Sequence, residues 1–250
     1  MSQGTHLSAS LIMAQTPEQE NFMTKFINTH TVSPDAVAHF EASSWLSPYL
    51  QNSLYEPVPT FSRVLKPTGE DYFFSTTIRT ERTIPHLISL KLKNLVIPPN
   101  NEKGHPYNKT TDFSAKTQTG LSAPVPEHPD CIYLIALGKG GLDGHPSTMH
   151  GGMLCAILDE TMGLTVMLHY TKHSPNPDER ESLYTVKLDT TYRAAVPTPG
   201  DVLVRCWVTR REGRKFFSRG QICSREGVVM TEAEGLWVES KKKETKGARL

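Results

Sequence analysis

His150-Gly151-Gly152-Met153-Leu154-Cys155-Ala156-Ile157-Leu158-Asp159-Glu160-Thr161-Met162-Gly163 is the stretch that decides how this 250-residue chain is read. From His150 to Tyr170, apolar residues fall at 153, 154, 156, 157, 162, 164, 166, 167 and 168. That pattern covers nearly every face of one long helix and predicts that the helix is buried. Two glycines at a helix start cost stability relative to alanine, so something must approach the backbone closely there. The free N–H groups and positive dipole end at that start suit a developing negative charge. Asp159 and Glu160 then sit mid-helix in apolar surroundings, where an ionised carboxylate is costly unless paired or functional. Such an acid can simply cap a loop or hold an ion pair, but together with the Gly-Gly start it points to a site.

Nine residues separate His150 from Asp159. In an α-helix that is about 13.5 Å of rise and about 900° of turn, half a turn out of phase. The two ends of one helix therefore cannot touch the same small reacting group. Two copies packed antiparallel about a twofold axis bring the start of one to the acid of the other, so an active site here requires a dimer.

Strand signals surround the helix. Cys131 to Leu137 is an apolar strand, and Gly138-Lys139-Gly140-Gly141-Leu142-Asp143-Gly144 is a turn. Beyond the helix, 183–193, 201–211, 215–224 and 227–238 read as four strands, punctuated by Pro197-Thr198-Pro199-Gly200, Gly213 and Glu226-Gly227. In 202–208, Val202, Val204, Cys206 and Val208 alternate with Leu203, Arg205 and Trp207, as in a strand with one fully buried face. Upstream, 71–80 and 86–97 are rich in Phe, Thr, Ile and Leu and also read as strands. The Pro/Gly-rich stretch 98–130 is a loop, lid or linker. In 1–60, an extension, Pro34-Asp35-Ala36-Val37 starts a helix and Trp45 to Leu50 docks on the core. The chain divides into an N-terminal extension (1–60), strands plus the long loop (61–130), a core (131–240) and a basic tail (241–250). One buried helix followed by consecutive strands with short turns makes the core α+β, an antiparallel sheet wrapped around the helix.

Composition bounds the partners. The apolar share of 37% rises to roughly 44% with the 17 glycines, close to the globular norm. Lys and Arg (27) balance Asp and Glu (26), so there is no global field to draw nucleic acid or an anionic membrane. Met1 to Gln15 lacks the basic start of a signal peptide, and the best candidate for a membrane span, 153–168, contains Asp159 and Glu160. A soluble intracellular protein is the expectation. Cys131, Cys155, Cys206 and Cys223 form no C-x-x-C pair, which leaves a zinc ribbon unsupported; counting alone leaves two disulfides open, and a reducing compartment disfavours them.

The His-Gly-Gly start with Asp nine positions on resembles the hotdog-fold acyl-CoA thioesterases, in the branch of the phenylacetate-pathway and mammalian thioesterase-superfamily enzymes. Leu183 to Tyr192 is similar to that family's strand ending in Thr-Tyr, and Pro199-Gly200-Asp201 and Gly213-Arg214-Lys215 resemble its turns. The likeness covers roughly 130–240. It implies a hotdog fold, and hydrolysis of an acyl-CoA to free acid and CoA by a homodimer or tetramer. No metal and no cofactor is implied beyond the coenzyme A of the substrate. Asp159 matches the general base or nucleophile, and Thr185 the residue that orients the attacking water. Gly151 falls at the N–H that polarises the carbonyl, with His150 and Gly152 beside it. Family members often carry Asn or Gln six residues before the motif histidine. Here that residue is Gly144, so the second carbonyl contact falls to neighbouring His145 or to no side chain.

Other patterns have their own readings. Gly138 to Asp143 fails G-x-G-x-x-G at its last glycine. His169 and His173 lack the acid of a zinc helix and read as a polar helix end. Cys155 reads as a small buried side chain rather than a nucleophile. Arg193, Arg210, Arg211, Arg214 and Lys215 are the cations available to grip the phosphates of coenzyme A, or else a solvated rim. The final Ala248-Arg249-Leu250 resembles a peroxisomal address read by the import receptor. Two other functions compete. Hydration of enoyl thioesters goes with Asp followed by His five residues later, a pair the core lacks. A non-catalytic acyl-CoA or polyketide-pathway binding protein of the same fold would keep the scaffold with part of the site lost.

Overall fold

The computed structural model describes residues 22–96, 125–171 and 182–240. Three short helices lead, α1 (Phe22–Thr29), α2 (Pro34–Glu41) and α3 (Ser47–Leu50), followed by strands β1 (Tyr55–Val58), β2 (Leu87–Leu92) and β3 (Cys131–Leu137). A small hairpin, β4 (Asp143–His145) and β5 (Thr148–Met149), precedes the long helix α4 (Gly151–Thr171). Then come β6 (Leu183–Tyr192), β7 (Gly200–Glu212), β8 (Lys215–Cys223) and β9 (Val229–Glu239). Seven strands make one sheet in the order β1-β2-β3-β7-β8-β9-β6, each neighbour antiparallel. This is the hotdog arrangement, with the sheet wrapped around α4.

α4 runs across one sheet face. Leu158, Met162 and Val166 are wholly buried against Val204, Cys206, Phe216 and Ile222, and full burial of such a side chain contributes about 1.5–3 kcal/mol. The sheet makes room with glycine: a Cβ at Gly220 would lie 2.8 Å from Met162 Cγ and Sδ. By length and mean hydropathy, Gly151–His169 of α4 passes as a membrane span, yet half of it is buried within this fold.

The opposite sheet face is also covered. Ala36, Phe40 and Leu46 pack on Ile88, Leu90, Ile132, Leu134 and Leu203, and β1 extends the sheet through its pairing with β2. The strand over 202–208 is therefore buried on both faces, not one, because helices from upstream cover the second.

Segment 71–80 is not a strand. It forms a π-helical turn, Phe73–Thr77, with Ile78 N–H donating to Phe73 O at 2.9 Å. Buried Arg63 fastens it, donating to Phe74 O at 3.0 Å and to Ile84 O at 2.7 Å; burial lowers its guanidinium pKa to about 10. The Gly138–Gly144 turn serves backbone packing: Gly138 N–H donates to Thr83 O at 2.7 Å, and a Cβ there would come within 2.2 Å of Glu81 O. All four cysteines are free thiols. His169 does sit in the last turn of α4, but buried rather than solvated: it is 1% exposed, with Nε2 2.7 Å from Asp130 Oδ2. His173, Ala248-Arg249-Leu250 and most of the 98–130 loop lie outside the described residues.

Candidate active site

At the start of α4, His150 turns its ring back onto the helix, and its Nδ1 accepts the Gly152 N–H at 2.9 Å. The side chain thus satisfies one of the four orphan donors of a helix N-terminus. Gly151, the first helical residue, keeps an N–H without an intrahelical acceptor. A Cβ on Gly151 would rest 3.4 Å from the Tyr192 ring, and one on Gly152 would press to 3.1 Å from His150 Nδ1. The Gly152 contact is tight, whereas the Gly151 contact is an ordinary van der Waals distance. Tyr192 Oη donates to Gly151 O at 3.1 Å and lies 2.8 Å from Cys155 Sγ. Cys155 is only partly buried, because its helix face meets the edge strand β6 rather than the core.

Farther along α4, Thr185 Oγ1 donates to Asp159 Oδ1 at 2.8 Å. A β-bulge makes this contact. Thr185 pairs with Trp237 and Lys187 with Leu236, leaving Val186 as an extra residue. That insertion shifts the alternation of the strand, so Thr185 faces α4 along with Thr190 and Tyr192, which touch Cys155. Thr185 and Tyr192 are roughly 23 Å apart along β6 at about 3.3 Å per residue. The carboxylate, midway along α4, and the glycines at its start therefore lie well apart on the α4–β6 pair, as the helix arithmetic requires.

Asp159 and Thr185 open on a cleft of about 150 Å³ with apolar walls from Phe61, Leu164, Met167, Leu183 and Trp237. Glu160 and Asp71 line it too. Burial first, then the nearby Asp71 and Asp159 carboxylates, push Glu160 up to about 7, against the opposing effect of the Ser62 hydroxyl and Lys66. Phe61, Ser62, Lys66 and Asp71 are contributions that sequence reasoning missed. They lie some way upstream of the core in sequence, and no periodicity links them to α4.

The remaining predicted residues are dispersed. His145 is exposed on β4, and a Cβ on Gly144 would stand 3.0 Å from His150 Cα, so a side chain at 144 needs the helix start to give by a few tenths of an ångström. Arg193 follows Tyr192 at the glycine end and is paired with Glu232. Arg214 and Lys215 sit at the other end, where Arg214 Nη1 donates to Glu239 O at 2.5 Å. Arg210 pairs with Glu212 at 2.9 Å, and Arg211 Nε donates to Gly213 O at 3.0 Å. Among the described residues no group of three or more His, Cys, Asp or Glu side chains could hold a metal ion.

The sequence model of the thioesterase superfamily matches residues 147–231, from the hairpin before α4 into β9. That match covers about a third of the chain and makes the hotdog core similar to the thioesterase superfamily. Solved structures resemble this hotdog core at low identity. A crystal structure described as a thioesterase superfamily protein is 23% identical over 43% of this chain and 50% of that one, with a TM-score of 0.37. The match thus spans half the length of that protein. A Bacillus halodurans protein solved with CoA is 15% identical over 45% of this chain and 69% of its own, at 0.38. A hypothetical thioesterase from Streptococcus pneumoniae, solved with coenzyme A, is 14% identical over 44% and 77%, at 0.38.

Proposed function

We propose that the protein hydrolyses acyl-CoA thioesters to free acid and CoA at sites built by two subunits. The hydrogen bond from Thr185 to Asp159, 2.8 Å long and in the lining of a cleft, carries this reading. Asp159, as carboxylate, takes a proton from water held with Thr185, and the water oxygen attacks the thioester carbonyl. Negative charge then collects on the carbonyl oxygen, and the Gly151 N–H of a second subunit stabilises it at the positive end of α4. Collapse breaks the C–S bond, and the CoA thiolate recovers the proton from Asp159. His150 acts by fixing the helix start, not by touching the substrate. The conformation of β6 favours a dimer: it forms the sheet edge, and its Tyr184, Val186 and Tyr192 are all more than half exposed. The glycine at 144 favours a second reading, a protein that binds acyl-CoA without turning it over, since no side chain there supplies a second carbonyl contact.

Thiol release from short, medium, long and aromatic acyl-CoAs tests both. The hydrolase reading expects turnover that falls by about 100-fold or more in Asp159→Asn. Full activity in that variant sinks Asp159 as the base, and tight binding without release by the wild type establishes the binding protein.

A further inference from the structure

The cleft beside Asp159 and Thr185 is not built by the hotdog core alone. Leu164 and Met167 of α4, Leu183 of β6 and Trp237 of β9 form one part of its lining, and Phe61 and Asp71, from far upstream, form another. Phe61 is 5% exposed and braced on several sides. Phe22 and Phe26 of α1 meet its ring edge to face, at centroid distances of 5.6 and 4.9 Å. Lys66 Nζ stands 3.7 Å from the centre of the same ring and donates to Phe61 O at 2.9 Å. Lys66 also pairs with Asp71 at 2.5 Å, which ties the two upstream lining residues together. α1 in turn packs on α4, where Met23 and Phe26 share one core with Met167 and Leu168. The reacting carbonyl has to lie beside Asp159 and Thr185, so the carbons of an acyl group enter this cleft. CoA is far too large for a volume of about 150 Å³. A cavity of that size holds roughly one benzene ring, about six carbons.

We propose that Phe61, held in place by α1 and Lys66, sets the length limit of the acyl group and makes the protein selective for acyl-CoAs of up to about six carbons. Up to that limit each further methylene gains burial, which raises kcat/KM by roughly fourfold. Beyond it a chain has to displace a braced ring or leave its end in water, and the gain turns into a loss. The wall is contributed by a segment outside the core at 131–240, so the size of the substrate is set by the upstream extension and not by the residues that carry out hydrolysis. This inference rests on the thioesterase reading above and supplies the substrate size that the reading leaves open.

The test measures kcat/KM on acetyl-, butyryl-, hexanoyl-, octanoyl- and decanoyl-CoA for wild type, Phe61→Ala, Phe61→Leu and Phe61→Trp, with far-UV circular dichroism confirming the fold of each. The wild type is expected to peak at butyryl or hexanoyl and to fall by about tenfold or more at decanoyl. Phe61→Ala and Phe61→Leu raise the decanoyl-to-butyryl ratio by about tenfold, and Phe61→Trp lowers the hexanoyl-to-butyryl ratio. Phe61→Leu carries the comparison if the larger truncation does not fold. A merely structural role would lower all five esters together and leave the optimum where it was. A wild-type optimum at octanoyl or longer, or an optimum unmoved in folded Phe61→Leu, overturns the proposal. If the wild type turns over no thioester, hydrolysis fails on its own account, and calorimetric binding of the same five esters decides the length limit. Weaker binding of decanoyl- than of hexanoyl-CoA, reversed in Phe61→Leu, supports it, and wild-type binding that tightens steadily to decanoyl overturns it.

Discussion

His150 and Glu160 show how single side chains set the terms of this site. The imidazole of His150 closes an orphan N–H at the head of α4, so His150→Ala should cost about 0.5–2 kcal/mol of stability. Urea unfolding checks this, and an unchanged midpoint would mean that the cap contributes nothing. Glu160 carries an opposite lesson. Its pKa is raised from 4.5 unfolded to about 7 folded, so the folded state holds the proton more tightly. Stability therefore falls as pH rises between those values, at up to about 1.4 kcal/mol per pH unit for one proton. Glu160→Gln removes that dependence. The melting temperature of the wild type should drop relative to the variant from about pH 5 to about pH 7, and a constant gap contradicts the assignment. The sequence revealed the acidic pair as out of place in an apolar helix. It could not reveal that Ser62, Lys66 and Asp71 face Glu160, because that contact depends on where an upstream turn lands.

At the scale of elements, β6 and its bulge matter most. Strands 183–192, 200–212, 215–223 and 229–239 were legible within two residues from alternation and turn residues, and α4 from its apolar surface. Segment 71–80 was not, because Phe, Thr and Ile describe a strand only where a partner strand exists, and here Arg63 ties the chain into a turn instead. The bulge at Val186 was equally invisible: Thr185 could be matched by resemblance, but its orientation comes from one unpaired residue. Deleting Val186 should rotate Thr185 off α4 and lower thiol release as far as Thr185→Ala does, with far-UV circular dichroism retained. Undiminished release would show that the bulge does not aim the residue.

The whole molecule joins a helix buried in a curved sheet to an outer layer of upstream helices, and under the proposed mechanism a single copy holds only separated halves of a reaction centre. Asp159 with Thr185 lies midway along α4, and Gly151 with Tyr192 at its start. The helix length alone made this separation legible, since about nine residues of α-helix cannot bend back on themselves. Neither the covering of the second sheet face nor the closing of the cleft by 61–71 was legible, since both are tertiary contacts of segments without a motif of their own. The most direct test of a shared site mixes two inactive proteins, Asp159→Asn and Gly151→Pro. Proline is tolerated at the first helical position and removes the N–H in question while adding a ring beside Tyr192, so far-UV circular dichroism must show that α4 of the variant stays folded. Subunits are exchanged, and thiol release from the best acyl-CoA is measured. Hybrid dimers carry one intact site each, so activity should return toward about half of the wild-type rate per hybrid. Hybrids that form, by mass, yet stay as inactive as their parents would contradict the two-subunit site.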